Sequence, residues 1–455
     1  MMSRHIVFSI LCSSLLAAAL TSSTQRSVAA ASVTFPAPDA AMRTAEPNPP
    51  ILGVLTSFGS RRAMGYVSPD LVRRQLDELG AVSYRDGIVW ASFRFPPDAP
   101  PQMVERRRIM NFLPIAGRSP LLVLGAPDQE PAAVGAPFTD TQVEQYSAFV
   151  KQVVEITKPY QPIYEIWNEF NLKVGHVFPG KRLTGAGDAS DPRAAIYYAP
   201  LARRATQAAK AADPHAKVVV GAVGDDPDWA WTKAIVRAGA LEGADGLSVH
   251  LYNHCAPVRT ATEMIERTEQ LEASLTPLTG GREVPLYITE FGWPTSKTRC
   301  GLSLDHSAAN FAQFVLLSAT LPYLKGIWAY EVKDKGADGQ DIEQNFGLFF
   351  HDDRPKPAAC LFRTAADVVQ RARHIDLQRP EPEIFVLRAV MDDHQLVVAW
   401  TTRAYDRRSA RFDGEPKSAS RMCGPAVPPT DVILTEAPVV VRYDLVSAPT
   451  IALDN

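Results

Sequence analysis

Two glutamates that follow short apolar segments are the residues in this sequence best suited to do chemistry. Glu169 follows the apolar alternation of IYEIW within residues 163–171, and Glu290 follows LYIT within residues 286–293. Apolar runs of this length that end in polar and aromatic residues are typical of buried strands with functional tips. Two carboxyl groups that face one pocket suit sugar chemistry, where one delivers a proton and the other attacks the sugar or activates water.

Asn168 stands directly before Glu169 and would bring a hydrogen-bonding amide to the same pocket. The alternative is an ordinary strand-to-helix turn, in which Asn168 and Glu169 are solvated and Trp167 belongs to the core. The second glutamate segment favours a site, because a turn needs no matching carboxyl group elsewhere in the chain.

Eight apolar segments that alternate with helical patterns must position these groups. The predicted strands cover residues 51–59, 83–91, 120–124, a segment beginning at 163, 217–222, 245–252, 285–290 and 326–331. The predicted helices cover residues 70–79, 141–157, 194–212, 229–240, 260–275, 305–321 and 357–370. Thr141 and Glu144 have the spacing of a capping box at the start of the second of these helices. The alternation predicts an α/β fold, a (β/α)8 TIM barrel, whose active sites lie at the carboxyl ends of the strands.

The barrel is predicted over residues 51–373, which leaves segments at both ends. Residues 1–31 combine a short basic start, an apolar stretch and small residues, which predicts a signal peptide; an uncleaved anchor is the alternative. Residues 32–50 are rich in Ala and Pro and predict a linker or N-terminal arm. Residues 374–455 contain β-type runs and predict a C-terminal antiparallel β-sandwich domain on the barrel, which the N-terminal arm could complete.

The composition excludes several classes of partner. A chain of 455 residues with 46% hydrophobic residues can bury a large core. A formal net charge of −3 without a basic run gives no support for nucleic acid binding. The N-terminal apolar run is short for a membrane span, so we expect an exported protein, periplasmic or secreted, with no membrane span in the mature chain. The oligomeric state stays open.

The two glutamate motifs resemble those of the clan A glycoside hydrolases. In those enzymes a Trp-Asn-Glu ends barrel strand four, as at residues 167–169, and a Thr-Glu-Phe-Gly-Trp-like segment ends strand seven, as at residues 289–293. The flanking segments resemble glycoside hydrolase family 39 and related exopolysaccharide-cleaving glycosidases. The resemblance implies a retaining mechanism with Glu169 as general acid/base and Glu290 as nucleophile, and neither a cofactor nor a metal.

Barrel geometry agrees with this assignment without deciding between mechanisms. Strands about 4.8 Å apart and tilted by about 36° place the two carboxyl groups about 6 Å apart. This lies near the spacing of about 5 to 5.5 Å in retaining glycosidases and just below the range of about 6.5 to 9.5 Å in inverting ones.

Six further residues are candidates for substrate binding, four of them implied by the resemblance. Asn168 would contact the sugar 2-hydroxyl, Arg85 would keep the carboxylates ionised, and His250 with Tyr252 matches a His-x-Tyr whose tyrosine contacts the nucleophile. Apart from the resemblance, Trp90, Trp293, Trp328 and Tyr330 could stack on the apolar C–H faces of sugars, and Trp293 and Trp328 are the stronger candidates. The alternatives are a surface Arg85 paired with Asp86, a structural His250, and core positions for both tryptophans.

Cysteines and histidines elsewhere in the sequence could form disulfides or a metal site. Four cysteines follow the predicted signal peptide, and an export compartment permits disulfides. We expect Cys255 with Cys300, in adjacent βα loops; Cys360 with Cys423 would then join the last barrel helix to the β tail. A metal site of His250, His254 and Cys255 is disfavoured, since an extended strand separates the histidines by about 13 Å.

The sequence therefore predicts an exported retaining glycoside hydrolase that acts on a carbohydrate substrate, with a bacterial exopolysaccharide as the first candidate. An exo-acting β-xylosidase-like enzyme is the second. A catalytically inactive polysaccharide-binding protein and a structural scaffold are alternatives from other classes.

Overall fold

Eight parallel strands close into a barrel in sequence order in the computed structural model of the chain. The structure describes residues 31–58, 69–88, 90, 112–113, 117–125, 136–137, 139–172, 192, 195–403 and 408–454. The barrel strands are β2 (Ile51–Leu55), β3 (Ser83–Ile88), β4 (Ser119–Leu124), β5 (Ile163–Ile166), β6 (Lys217–Val223), β7 (Gly246–Leu251), β8 (Leu286–Phe291) and β9 (Leu324–Ala329). The predicted TIM barrel is confirmed. The predicted signal peptide lies outside the described residues except for Ala31, whose carbonyl accepts a hydrogen bond from the Leu453 amide.

Helices connect the barrel strands and cover their outer face. The short helix α1 (Ala40–Thr44) precedes the first barrel strand. In the described part of the chain, the helices that flank the barrel are α2 (Pro69–Leu79), α3 (Asp140–Thr157), α4 (Ala195–Ala212), α5 (Ala230–Arg237), α6 (Ala261–Leu275), α7 (Leu304–Ser318) and α8 (Pro357–Arg371), with 3₁₀ turns at Lys158–Tyr160, Thr276–Thr279 and Ile342–Gln344. In α2 the buried Val72, Leu76 and Leu79 recur at helical spacing, so one apolar stripe faces the barrel. The helix α7 is buried on nearly all sides, because the C-terminal domain covers its outer surface.

The start of α3 differs from the prediction. The capping box consists of Thr139 and Gln142, not of Thr141 and Glu144. The sequence TDTQVE contains two overlapping Thr-x-x-Gln/Glu patterns, and the helix begins at the first of them. Glu144 instead contacts Arg204 on the neighbouring helix α4, at 3.5 Å.

An apolar layer fills the barrel on the amino-terminal side of the predicted site. Its side chains belong to Leu121, Val123, Ile163, Val219, Tyr287 and Trp328. The indole of Trp328 crosses the interior and donates a hydrogen bond to Ser83 Oγ. Gly53 has to be a glycine, because a Cβ there would lie 2.2 Å from Trp328 Cδ1. This layer closes the barrel below any pocket at the opposite end.

Two antiparallel sheets form the C-terminal part of the fold, as predicted. One sheet has the order β1 (Ser32–Thr34), β17 (Thr450–Leu453), β13 (Ser409–Asp413) and β15 (Val432–Ile433). The other has the order β10 (His374–Glu381), β11 (Ile384–Val390), β12 (His394–Thr401), β16 (Val439–Asp444) and β14 (Ser418–Arg421). The N-terminal arm thus supplies an edge strand to the sandwich.

The sandwich packs against the barrel through its five-stranded sheet. Along β11, Ile384 and Val386 join the core between the two sheets, whereas Phe385 and Leu387 join the core shared with the barrel. Successive side chains of a strand point to opposite faces, so a strand buried on both faces is apolar throughout. Disulfide bonds link Cys255 with Cys300 and Cys360 with Cys423.

The Cys360–Cys423 disulfide joins α8 to the loop after β14 and is therefore expected to stabilise the docked sandwich. Replacing both cysteines by serine should lower the free energy of unfolding by about 2–4 kcal/mol, because the unfolded chain regains the freedom that the link removes. Differential scanning calorimetry under oxidising conditions measures the loss. As a control, Cys255 and Cys300 are replaced by serine in both proteins. The protein that keeps Cys360 and Cys423 should then, once reduced, unfold at the same temperature as the one that lacks them. A double variant as stable as the oxidised wild type would contradict the prediction.

Candidate active site

Six of the eight predicted site residues meet at the carboxyl end of the barrel strands. Arg85 comes from β3, Asn168 and Glu169 follow β5, His250 comes from β7 and Tyr252 follows it, and Glu290 comes from β8. The pocket above them has a volume of approximately 490 Å³. Glu169, His250, Tyr252 and Glu290 line it, together with Tyr330, Phe346, His254 and Arg267.

The backbone after β5 is folded tightly to present Glu169. Trp167 and Glu169 have φ values of 67° and 47°, in the left-handed region that non-glycine residues seldom adopt. Trp167 is held by edge-to-face contacts with Trp90 and Tyr146, and its ring passes over Gly125, where a Cβ would lie 2.7 Å from Trp167 Cε3. Core packing of Trp167 thus stabilises a turn that places Glu169 in the pocket and Asn168 against Arg85.

Arg85 is the centre of the hydrogen-bond network and is only 2% exposed. Its Nη1 donates to Glu290 Oε1 at 2.6 Å, and its Nη2 donates to Asn168 Oδ1 at 2.8 Å. Its Nε donates to Glu165 Oε2 at 2.8 Å. One planar cation therefore connects three strands at fixed angles, which a lysine could not do.

Glu290 is surrounded by donors and positive charge. Tyr252 donates its hydroxyl to Glu290 Oε2 at 2.7 Å, in addition to the Arg85 contact at Oε1. Burial alone would raise the pKa of Glu290, but the charges of His250 and Arg85 and the hydrogen bonds from Tyr252 and Arg85 lower this pKa to about 2. Burial and the nearby Glu290 raise the pKa of Tyr252 well above its ordinary value, so the phenol keeps its proton.

Glu169 has a different environment. Its Oε1 contacts His250 Nδ1 at 2.9 Å, and 18% of its side chain is exposed to the pocket. The other ring nitrogen of His250, Nε2, lies 3.4 Å from Arg85 Nη2, which can only donate. Burial lowers the pKa of His250, yet the charge of Glu290 and the contact with Glu169 outweigh burial and raise it.

The carboxylates of Glu169 and Glu290 approach closely. One oxygen of each and a ring nitrogen of His250 lie within 4.8 Å of one another. Such a trio has the spacing of a metal site, but Arg85 already brings its positive charge within 2.6 Å of Glu290 and 3.4 Å of His250. The donor set therefore fits a carboxylate pair balanced by an arginine better than a divalent cation. Cys255 is in a disulfide, so its thiolate is not available to the disfavoured site with His250 and His254.

The two predicted tryptophans do not reach the pocket. Trp293 is fully buried among Phe291, Phe311 and Phe314, and its indole N–H donates to Asn253 at 2.8 Å. Trp328 is fully buried in the apolar layer of the barrel. Neither ring can present a face to a sugar, so the expectation of stacking is corrected in favour of core positions.

Sequence reasoning missed several residues that shape the site. Glu165 binds Arg85 from below, and a charged residue inside the apolar run IYEIW was the signal that could have identified it. Arg267 also lines the pocket, from a helix whose own pattern carries no mark of function, whereas Tyr330, a weaker candidate for sugar stacking, does reach the pocket. Across the described part of the chain, no helix is both long and apolar enough to cross a membrane.

Comparisons with known proteins show where this fold occurs. No protein-family model matches the chain, and no curated protein matches it either. Among solved structures, a family 39 glycoside hydrolase from the gut symbiont Bacteroides cellulosilyticus WH2 superposes with a TM-score of 0.63 at 19% identity, covering 90% of this chain and 81% of the other.

Two further structures agree with the first. A GH39 β-xylosidase from Caulobacter crescentus gives a TM-score of 0.57 at 18% identity and covers 89% of this chain and 98% of its own. GH5_18 from Streptomyces cattleya, solved with GlcNAc, gives a TM-score of 0.53 at 17% identity and covers 71% of this chain and 81% of its own. At these identities the comparisons establish a shared fold, and in architecture the chain is similar to the clan A glycoside hydrolases, as its motifs predict.

Proposed function

We propose that the chain is a retaining glycoside hydrolase that cleaves β-glycosidic bonds in a poly- or oligosaccharide. The observation that carries this proposal is the unequal treatment of two carboxyl groups within 4.8 Å of each other. Glu290 receives two strong donors, whereas Glu169 contacts His250 and is open to the pocket. A retaining glycosidase needs this inequality, because one carboxylate attacks while the other handles a proton.

In the first step, Glu290 attacks the anomeric carbon of the bound sugar. The bond to the leaving oxygen breaks as Glu169 gives that oxygen its proton, and a glycosyl ester forms on Glu290. Arg85 and Tyr252 keep Glu290 ionised and aimed before the attack. Asn168 uses its carbonyl oxygen for Arg85, which leaves its amide N–H groups for the sugar 2-hydroxyl.

In the second step, Glu169 accepts a proton from water as the water attacks the anomeric carbon. The ester bond breaks and Glu290 returns as a carboxylate. Two inversions leave the product anomer the same as the substrate anomer. One oxygen of each carboxyl group lies within 4.8 Å of the other, which supports a spacing shorter than the range of about 6.5 to 9.5 Å that an inverting enzyme needs for water between them.

The substrate is proposed to be a bacterial exopolysaccharide, with export by the N-terminal segment as a signal peptide. This part of the proposal is supported by the motif resemblance to exopolysaccharide-cleaving relatives and by two disulfides, which suit an oxidising compartment. An exo-acting β-xylosidase is the second candidate, since one structural neighbour is a β-xylosidase. A polysaccharide-binding protein without activity is disfavoured by the cost of burying Arg85 and its carboxylates, which binding alone does not require.

Substitution of either glutamate should give two different defects. With an activated aryl β-glycoside, Glu290→Ala should lose at least about 10⁴-fold in kcat, because no ester can form. Glu169→Ala should retain formation of the ester, and added azide should restore turnover with a β-glycosyl azide as product. Product anomers followed by NMR during hydrolysis of aryl β-glycosides and exopolysaccharides provide the measurement.

A product of inverted configuration would contradict the role of Glu290 as nucleophile. Saturable polysaccharide binding without hydrolysis in the wild type would favour the binding protein instead. Glu266→Ala, on the exposed side of α6, serves as a matched glutamate control that should leave the activity unchanged.

Removal of the Tyr252 hydroxyl should move the acidic limb of the pH–rate profile. Tyr252→Phe takes one donor from Glu290, so the lowered pKa of Glu290 should rise from about 2 and activity should be lost at a higher pH than in wild type. Because hydrogen bonds to charged groups contribute about 1.5–3 kcal/mol, we expect kcat/KM to fall about 10- to 100-fold. Initial rates from pH 2.5 to 8 measure both effects.

Tyr164→Phe is the matched control, since its hydroxyl bonds to Thr157 outside the barrel interior. An acidic limb that stays in place in Tyr252→Phe would show that the hydroxyl does not hold Glu290 ionised.

A further inference from the structure

A fully buried carboxylate below the pocket takes no part in the two chemical steps. Glu165 lies on β5 and is 0% exposed. Its Oε2 accepts from Arg85 Nε at 2.8 Å and lies 2.7 Å from Arg85 Nη2. Its Oε1 has no hydrogen-bond partner among the described residues. A buried carboxylate with one unsatisfied oxygen costs stability, so packing does not explain its presence.

Apolar residues and phenols that bond to other groups surround Glu165. In the barrel register Glu165 stands between Val123 on β4 and Val219 on β6, both apolar and buried. A valine or methionine would fill the same space without a desolvated charge. The nearby phenols of Tyr146 and Tyr198 donate to main-chain carbonyls of Leu124 and Ile166 and not to Glu165. Arg85 is therefore the side chain whose position and charge Glu165 affects.

The contact fixes the orientation of the guanidinium. A guanidinium is planar and its five N–H groups point in fixed directions. Once Glu165 holds the edge formed by Nε and Nη2, Nη1 must point to Glu290 and the second hydrogen of Nη2 to Asn168. Without this edge the arginine could rotate about its side-chain bonds and leave one of the two pocket residues.

The contact also sets the charge of the buried group. Arg85 alone with Glu290 would form a neutral pair, in which the full positive charge weakens the carboxylate as a nucleophile. With Glu165 on its other edge, the Arg85 cation is shared between two carboxyl groups, so less of its positive charge acts on Glu290. His250, Glu169 and Tyr252 are the other ionisable groups that face Glu290, from β7, from the turn after β5 and from the loop after β7.

We propose that Glu165 is a positioning residue of the active site, which orients Arg85 and shares its charge so that Glu290 is both ionised and nucleophilic. This inference rests on the proposed function for its kinetic consequence. Its structural part, the orientation of Arg85, does not depend on any reaction.

The kinetic test compares Glu165→Gln with Glu165→Asp. Glutamine keeps the volume and one acceptor oxygen but removes the charge, so kcat with an aryl β-glycoside should fall at least tenfold while KM changes less than threefold. Aspartate restores the charge at a shorter reach and should recover part of the lost kcat. Ser83→Ala removes a buried hydrogen-bonding group in the apolar layer two positions before Arg85, and it should lower stability without changing kcat.

The structural test uses ¹⁵N NMR of the Arg85 Nε–H group in the mature protein, assigned with Arg85→Lys. In wild type this proton is buried and hydrogen-bonded, so its signal should be shifted from those of exposed arginines and should exchange slowly with water. Glu165→Gln should shift the signal and speed the exchange at least tenfold, and Ser83→Ala should not.

The two measurements separate the possible failures. An Arg85 signal that does not change in folded Glu165→Gln overturns the inference whether or not the protein hydrolyses a glycoside. A changed signal with an unchanged kcat overturns the kinetic role. If wild type hydrolyses no glycoside and the signal still changes, the proposed function fails and the orientation of Arg85 by Glu165 stands.

Discussion

The buried guanidinium of Arg85 is the interaction on which the site depends. A cation with 2% exposure must be compensated, and two carboxylates and an amide from β5 and β8 compensate the charge that Arg85 brings from β3. These strands are not adjacent in sequence, so the network forms only when the barrel closes. Closure of the fold and assembly of the site are consequently the same event.

The layer below the network explains how such charges persist inside a protein. Trp328 and its apolar neighbours fill the barrel toward its amino-terminal end, which keeps water from reaching Arg85 from that side. Electrostatic interactions gain strength where water is excluded, so the same contacts near the surface would hold Glu290 less firmly. Gly53 contributes indirectly, because its missing side chain makes room for the Trp328 ring.

Much of the architecture was predictable because it is encoded locally. The eight barrel strands begin within two residues of their predicted starts, since apolar runs and helix caps are read from neighbouring residues. Strand ends were less predictable: the first strand was expected to reach residue 59 but ends at Leu55, and Ser57 has a φ of 51°. The N-terminal arm was expected to complete the sandwich, and β1 does pair with β17, but no local pattern specifies which strand it pairs with.

The site was predictable to the extent that chemistry marks its residues. The two glutamates could be predicted as site residues because each follows an apolar strand. An aromatic side chain at a strand end can face either the pocket or the core, and the sequence does not distinguish the two. Trp293 turned inward because Asn253 offers its indole N–H a partner within the core. The importance of Glu165 could not be deduced from IYEIW alone, because its meaning depends on Arg85, which lies two strands away.

The electrostatic environments of Glu169 and Glu290 differ because of the side chains that contact each carboxyl group, and not because of the strands that carry them. Behind Glu290 stand a fixed cation and a phenol, which stabilise negative charge before any ligand arrives. Behind Glu169 stands a histidine whose second nitrogen faces the same cation, so the charge of His250 is coupled to that of Arg85. In the proposed reaction Glu290 becomes esterified, so Arg85 loses one of its two anionic partners and the field that acts on His250 and Glu169 becomes more positive. At that stage Glu169 is the base that takes a proton from the attacking water, and the return of Glu290 as a carboxylate restores the original charge balance around Arg85, so a single buried cation is coupled to both carboxyl groups through the proposed reaction.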